Sequence, residues 1–320
     1  MGMQKAMTIP AGNFTKIAKK GSNISTTLAA DAKTINGDLI ENEVAYKVFV
    51  MTVAADPNQF LNSLSIASGA LSLDSGDKVK VTYIANDGVM IDFQGKKVAI
   101  DAINRSGNLN GWISPSNAEL TAVENGDPPY NDIDVIMITH NHGDHYSTSA
   151  VQSYLAKHPN TKLIVPSRMK SSFSAYANRM PNFSLQKFDR VNVILNEISI
   201  DVLRVEHFDQ FGNDFSGVES YTYVVDMGGK KFMHTGDLDY VDSRLGDFNL
   251  LEDSITVAFI PTFGNLVNSN NRDSLLNNVN PKHIVGLHFL SASLSTSLSQ
   301  INTIYPGADA LTLPFETRKY

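Results

Sequence analysis

Cysteine is absent from the 320-residue sequence. Its absence excludes disulfide bonds, thiolate metal ligands and a cysteine nucleophile, so any metal ion must be held by nitrogen and oxygen atoms. A chain without cysteine that is rich in small polar residues is compatible with export. The localisation therefore stays open between the cytoplasm and export with a signal segment removed.

Long apolar runs are also absent, because no stretch approaches the roughly 20 apolar residues that a membrane helix needs. Residues 1–6 contain no apolar signal core. We therefore expect a soluble protein without an integral membrane segment. The pattern does not indicate an oligomeric state.

Positive charge is scarce and dispersed. The chain has 26 lysines and arginines against 33 acidic residues, which gives a formal net charge of −7. Because a nucleic-acid backbone binds to concentrated positive charge, we do not expect nucleic acid as a partner. The expected partner is a small-molecule substrate.

The pattern changes near residue 75. Before it, residues 45–53 alternate like a strand, and Asp56-Pro57 predicts the start of a short helix that continues through Leu64. We interpret residues 1–75 as an N-terminal extension of unknown role. Residues 76–320 are predicted to form the main domain.

The main domain alternates short apolar segments with turn signals and helical segments. Strands are predicted at 79–85, 89–93, 98–102, 135–139, 163–165, 193–195, 198–205, 221–226, 231–233, 255–260 and 284–287. Helices are predicted after a cap at Ser147 or Thr148 and around 273–278, while residues 104–131 are predicted to be rich in loops. Two groups of strands with helices between and after them predict an αββα sandwich of the mixed α/β (α+β) class, with two sheets packed face to face.

The strongest signal is the sequence His140-Asn141-His142-Gly143-Asp144-His145, which follows a buried strand. In an extended chain alternate residues point the same way, so His140 and His142 can face one metal ion. Gly143 permits a sharp turn, after which Asp144 and His145 can face a second ion. Imidazole and carboxylate groups suit zinc, manganese or iron.

Two ions need more ligands than this motif supplies, and further candidates follow later strands. They are His207, Asp237 in His234-Thr235-Gly236-Asp237, and His288. The remaining histidines are given other roles: His158 is predicted to be solvated and His283 structural. His234 is either a hydrogen-bonding partner of a ligand or a core residue.

These motifs resemble the metallo-β-lactamase superfamily over roughly residues 77–320. The resemblance implies one metal on His140, His142 and His207, a second on Asp144, His145 and His288, and Asp237 bridging the two. It also implies that Trp112, Tyr130 and the turn Phe263-Gly264-Asn265 lie on the active-site side. The short strings around Asp237, His207 and His288 resemble the branch of ascorbate-6-phosphate lactonase-like and N-acyl-phosphatidylethanolamine phospholipase D-like hydrolases.

The predicted function is metal-dependent hydrolysis of a lactone, ester or phosphodiester. Two divalent ions, with zinc ahead of manganese or iron, can share a water molecule and lower its pKa to generate hydroxide. Asp144 or Asp237 is expected to orient this nucleophile and move its proton, while Asp101 and Tyr146 are candidates for support of the ligands. The alternatives are a non-catalytic metal-binding or scaffold protein and a redox diiron protein.

Overall fold

A computed structural model describes three strands within the first 52 residues and residues 78–320, apart from 210–214 and 216. The chain separates into two compact units, Met1–Lys78 and Val79–Tyr320. Within the described residues, no helix has the length and apolar character that crossing a membrane requires.

The first unit contains a three-stranded antiparallel sheet. Its strands are β1 (Asn13–Lys19), β2 (Lys33–Glu41) and β3 (Val44–Thr52), in the order β1-β3-β2. The strand predicted at 45–53 corresponds to β3, whereas β1 and β2 were not predicted. The helix predicted from Asp56 lies outside the described residues.

The second unit contains two larger sheets. One sheet consists of β4 (Lys80–Ala85), β5 (Gly88–Phe93), β6 (Lys96–Ile100), β7 (Val135–Met137), β8 (Lys162–Ile164) and β16 (Thr317–Lys319), in the order β16-β4-β5-β6-β7-β8. The other consists of β9 (Arg190–Leu195), β10 (Ile198–Val205), β11 (Ser220–Met227), β12 (Lys230–His234), β13 (Val257–Pro261), β14 (His283–Leu287) and β15 (Asp309–Ala310), in sequence order from β9 to β15.

Helices cover the outer faces of both sheets. They are α1 (Asn117–Asn125), α2 (Thr148–Lys157), α3 (Ser269–Asn278) and α4 (Leu294–Ile304). One apolar core lies between the two sheets. A second core lies between the sheet of β9 to β15 and the helices α3 and α4, and it includes Leu275 and Ile301. A third core lies between the sheet that contains β4 to β8 and helix α2. The observed layers are therefore those of the predicted αββα sandwich.

Helix α1 corrects the prediction of loop structure at 104–131. Ser116 caps it by accepting a hydrogen bond from the Glu119 amide, while the Glu119 carboxylate accepts one from the Ser116 amide. This reciprocal pair satisfies two amides that the first turn of a helix leaves unpaired. Leu120 and Val123 are its buried apolar residues.

Candidate metal centre

The carboxyl ends of several strands meet at one edge of the sandwich. Strands β6 and β7 are parallel neighbours, so Asp101 after β6 lies beside Thr139 after β7. In the other sheet β12, β13 and β14 are also parallel, which brings the segments carrying Asp237 and His288 to the same edge. Strand β10 runs in the same direction as β12, because each is antiparallel to β11 between them, and His207 follows β10.

The first ligand group contains His140, His142, His207 and Asp237, with one potential ligand atom of each lying within 4.8 Å of the others. The Nε2 atoms of His140 and His207 lie 3.8 and 3.6 Å from Oδ2 of Asp237. Backbone pairing holds His207 in place, since the Phe208 amide donates to the Asp237 carbonyl at 2.8 Å.

The second ligand group contains Asp144, His145 and His288, again within 4.8 Å of one another. Nε2 of His288 lies 3.1 Å from Nε2 of His145 and 3.5 Å from Oδ2 of Asp144. Asp237 also reaches this group, with 3.4 Å from its Oδ2 to Nε2 of His145 and 3.7 Å from its Oδ1 to Nε2 of His288. The structure thus brings all seven predicted residues together, with Asp237 between the two groups.

Hydrogen bonds behind the imidazoles orient their other nitrogen atoms towards the site. Nδ1 of His207 donates to the Phe208 carbonyl at 2.8 Å, and Nδ1 of His145 lies 2.8 Å from Oδ2 of Asp101. The Thr139 hydroxyl donates to the same carboxylate at 2.5 Å and lies 3.0 Å from Nδ1 of His140. Such partners fix the tautomer that leaves Nε2 free to bind a metal.

Several buried atoms at the centre have no hydrogen-bond partner among the described residues. They include Nε2 of His140, Nε2 of His207 and Oδ1 of Asp237. Buried polar atoms without partners are costly, so their convergence on one point indicates a ligand that accepts lone pairs. A divalent cation fits this set of nitrogen and oxygen donors.

The electrostatic environment favours the same ligand. Burial lowers the pKa of His142 to about 4 and that of His288 to about 4, so both imidazoles are neutral at neutral pH. Burial opposes protonation of His145 as well, but the carboxylates of Asp237 and Asp144 outweigh it and raise its pKa well above the usual range. Neutral imidazoles can each offer a lone pair to a bound cation.

A hairpin that supports the centre carries no signal of this role in the sequence. Asn86 and Asp87 form the β4–β5 turn, yet each is only 1% exposed. Nδ2 of Asn86 donates to the Asp144 carbonyl at 2.7 Å and lies 3.2 Å from Nε2 of His288, while the Asp87 carbonyl lies 2.8 Å from Nε2 of His234. Burial raises the pKa of Asp87 well above its usual range. The sequence predicts only a turn at these positions.

The other histidines lie outside the two ligand groups. Both nitrogens of His234 have backbone partners, the Asp87 carbonyl and the Gly236 amide at 3.2 Å, so His234 braces the turn that leads to Asp237. His158 stacks on Tyr154 with ring centroids 4.1 Å apart and is half-buried, in contrast to the solvated position predicted for it. His283 is exposed at the start of β14.

The other predicted neighbours of the site separate into two sets. Asp101, Trp112 and Phe263 contact ligand histidines. Tyr130 instead packs near Phe315, with ring centroids 5.7 Å apart. Tyr146 packs at the edge of the core that contains α2.

The second unit is thus a two-sheet sandwich with two groups of histidine and aspartate side chains at one edge that could hold metal ions. Residues 80–288 match the family model described as the beta-lactamase superfamily domain. The chain belongs to the metallo-β-lactamase superfamily, whose members are mostly metal-dependent hydrolases. No curated protein matches the chain in sequence.

Solved structures show the same fold at low sequence identity. Igni18, a metallo hydrolase from the archaeon Ignicoccus hospitalis, is 16% identical with a TM-score of 0.54, over 76% of this chain and 98% of that one. YhfI of Bacillus subtilis, a metallo-β-lactamase fold protein, is 14% identical with a TM-score of 0.51, over 76% and 100%. CmlA, a diiron β-hydroxylase of Streptomyces venezuelae, is 11% identical with a TM-score of 0.53, over 76% and 54%.

Proposed function

We propose that the second unit is a dinuclear metal-dependent hydrolase of a lactone, ester or phosphodiester. The observation that carries this proposal is the convergence of two ligand groups on Asp237, with unpartnered imidazole nitrogens and a carboxylate oxygen facing the same point. One divalent ion would be held by His140, His142 and His207, and the other by Asp144, His145 and His288. Asp237 would contribute to both.

Two such ions supply an activated water molecule and a Lewis acid for the scissile group. The protein's own residues divide the remaining work. The Asp237 side chain is 5% exposed and surrounded by imidazoles, so it holds the centre together. The Asp144 side chain is 20% exposed, which places it on the open side, where it can take a proton and pass it to the leaving group.

Zinc is the metal we expect. Manganese and iron are the alternatives, because this set of nitrogen and oxygen donors also accepts them. The resemblance of the segment from His234 to Asp237 to the lactonase-like branch is the reason for including lactones among the candidate substrates.

The test is reconstitution of the metal-free protein with zinc, manganese or iron, followed by elemental analysis and a panel of lactones, esters and phosphodiesters. We expect up to two ions per chain and turnover of at least one substrate class. Asp237→Ala should abolish turnover with little change in the circular dichroism spectrum. Asp226→Ala is the control, since Asp226 accepts a hydrogen bond from Gly229 at the β11–β12 turn.

Failure to bind any ion would remove the basis of the proposal. Two bound ions without turnover of any substrate would favour a binding or scaffold role. Oxygen consumption by the iron-loaded protein, without hydrolysis, would favour a redox diiron centre. Wild-type turnover in Asp237→Ala would show that the bridging role is misassigned.

A further inference from the structure

Aromatic side chains contact both ligand groups without belonging to them. The Trp112 ring meets His288 edge-on, with centroids 4.0 Å apart, and Phe263 lies 4.5 Å from the same imidazole. Phe215 lies 4.9 Å from His142 and 5.0 Å from His207. Each group therefore has an aromatic neighbour on a segment other than its own.

Two of these aromatic side chains are partly exposed. Phe263 is 4% exposed and belongs to the core beneath its sheet. Trp112 and Phe215 are half-buried, as are His142 and Asp144. Solvent therefore reaches the centre past His142 and Asp144, next to half-exposed aromatic rings.

Hydrogen bonds hold both aromatic residues in place. The Trp112 amide donates to the Leu109 carbonyl at 3.0 Å, and its backbone forms a bridge with Leu290, two residues beyond His288. The Phe215 amide donates to Oδ1 of Asp209 at 2.7 Å, and its carbonyl accepts from Val218 at 2.7 Å. Because both residues are anchored near the ligands, their rings form fixed apolar surfaces.

The described ion pairs of the centre lack the lysine and arginine side chains that usually bind a multiply charged substrate. Within the described residues, the carboxylates of Asp101, Asp144 and Asp237 form ion pairs only with histidines. A phosphomonoester is usually bound by arginine or lysine side chains, which neutralise the charge beyond that taken by metal ions. Among the described ion pairs, no lysine or arginine accompanies these carboxylates, so the centre fits an uncharged substrate better than a dianion.

We infer that Trp112 and Phe215 form an apolar subsite and that the substrate is an uncharged lactone or ester with an aromatic group close to the scissile carbonyl. This inference rests on the proposed hydrolase function and narrows it. In the reaction the acyl C–O bond breaks, and water supplies a hydroxyl to the acyl carbon and a proton to the alcohol oxygen. The aromatic group stacks on the subsite and takes no part in bond breaking.

The first test compares γ-phenyl-γ-butyrolactone with γ-butyrolactone on the metal-reconstituted protein. Burial and stacking of one phenyl ring should raise kcat/KM by about 10- to 30-fold. Trp112→Leu and Phe215→Leu should each lower the ratio of kcat/KM for the phenyl lactone to kcat/KM for γ-butyrolactone by about 5-fold or more. Phe315→Leu is the matched control, because Phe315 is a half-buried aromatic residue that packs near Tyr130.

A second readout does not depend on turnover. Trp112 is the only tryptophan in the sequence, so its fluorescence reports on the subsite alone. Adding 3-phenylcyclopentanone, a ketone that cannot be hydrolysed, should change the emission of the metal-loaded protein at concentrations at which cyclopentanone has no effect. Phe215→Leu should weaken this response and Phe315→Leu should not.

The outcomes separate the two proposals. Equal turnover of both lactones, with no selective emission change, would overturn the aromatic subsite and leave the hydrolase proposal standing. Faster turnover of phenyl phosphate than of the phenyl lactone would overturn the uncharged substrate class. Selective emission changes without hydrolysis of any substrate would support the subsite and contradict the hydrolase.

Discussion

Asp101→Asn is the substitution that best tests how the ligands are oriented. Oδ2 of Asp101 lies 2.8 Å from Nδ1 of His145 and accepts a hydrogen bond from the Thr139 hydroxyl at 2.5 Å, while Oδ1 accepts from the Thr139 amide at 2.9 Å. Asparagine has the same shape but replaces one of these acceptors with an NH₂ donor. In either amide orientation a donor of asparagine then faces a donor of the protein.

The expected magnitude follows from this clash of donors. If the NH₂ group faces His145, the imidazole must place its proton on Nε2, the atom that faces the ligand group, and metal binding then requires the tautomer to be reversed. Loss of such a supporting partner typically costs 10- to 100-fold in metal affinity. At about 1.4 kcal/mol for each factor of ten, the loss at the second site is about 1.4–2.8 kcal/mol.

The assay is a competition titration of zinc against a chelating dye, which resolves the two sites by their affinities. We expect Asp101→Asn to weaken the site of His145 by 10-fold or more. The control, Asp226→Asn, should leave both affinities unchanged. Two sites of wild-type affinity in Asp101→Asn would refute the reasoning.

Three further outcomes are expected. His207→Ala should weaken zinc binding about 10-fold or more. His234→Ala should have a smaller effect, because both nitrogens of His234 bond to backbone groups. Parallel zinc titrations of the two variants check this, and a larger loss in His234→Ala would make His234 the ligand in place of His207. Ser116→Ala should destabilise the protein by about 1 kcal/mol, seen as a lower Tm, and an unchanged Tm would deny the cap a role in stability. Burial alone would raise the pKa of Glu219. Hydrogen bonds from backbone amides and a tyrosine hydroxyl outweigh this effect and hold the pKa below its usual range. The stabilisation by Glu219 is therefore present above its unfolded pKa and lost as pH falls through its folded pKa, so Glu219→Gln should lower the Tm at neutral pH and match wild type in acid; an equal deficit at both pH values would contradict this.

The sandwich could be predicted because its strands carry their own signals. Strands β4 to β6 alternate with Asn-Asp-Gly and Gln-Gly turns, β10 largely alternates buried with partly exposed residues, and β13 is an apolar run buried throughout. Strand β16 was missed because its residues, Thr317–Lys319, are polar and only backbone pairing with β4 makes them a strand. Helix α1 was missed although Ser116 and Glu119 have the spacing of a capping box, because only Leu120 and Val123 mark its buried face.

The residues that the structure brings together at the candidate centre could be predicted because four lie in one short motif and three follow strands. The supporting residues could not be found in the same way. Asn86 and Asp87 have the composition of a solvated turn, and they are buried only because β4 ends at the same edge as β6. The role of Thr139 depends on its contacts with Asp101 and His140, which exist only after the strands are paired.

The pairing of β16 with β4 has a consequence for biosynthesis. Thr317 aligns with Thr82, and their hydroxyl oxygens lie 3.4 Å apart across 235 positions of sequence. A ribosome that adds about 5–20 residues per second needs on the order of tens of seconds to make the intervening chain. During that time the outer edge of β4 has no β16 to pair with, and unpaired strand edges promote aggregation. The yield of folded protein should therefore depend on chaperones that cover this edge during translation.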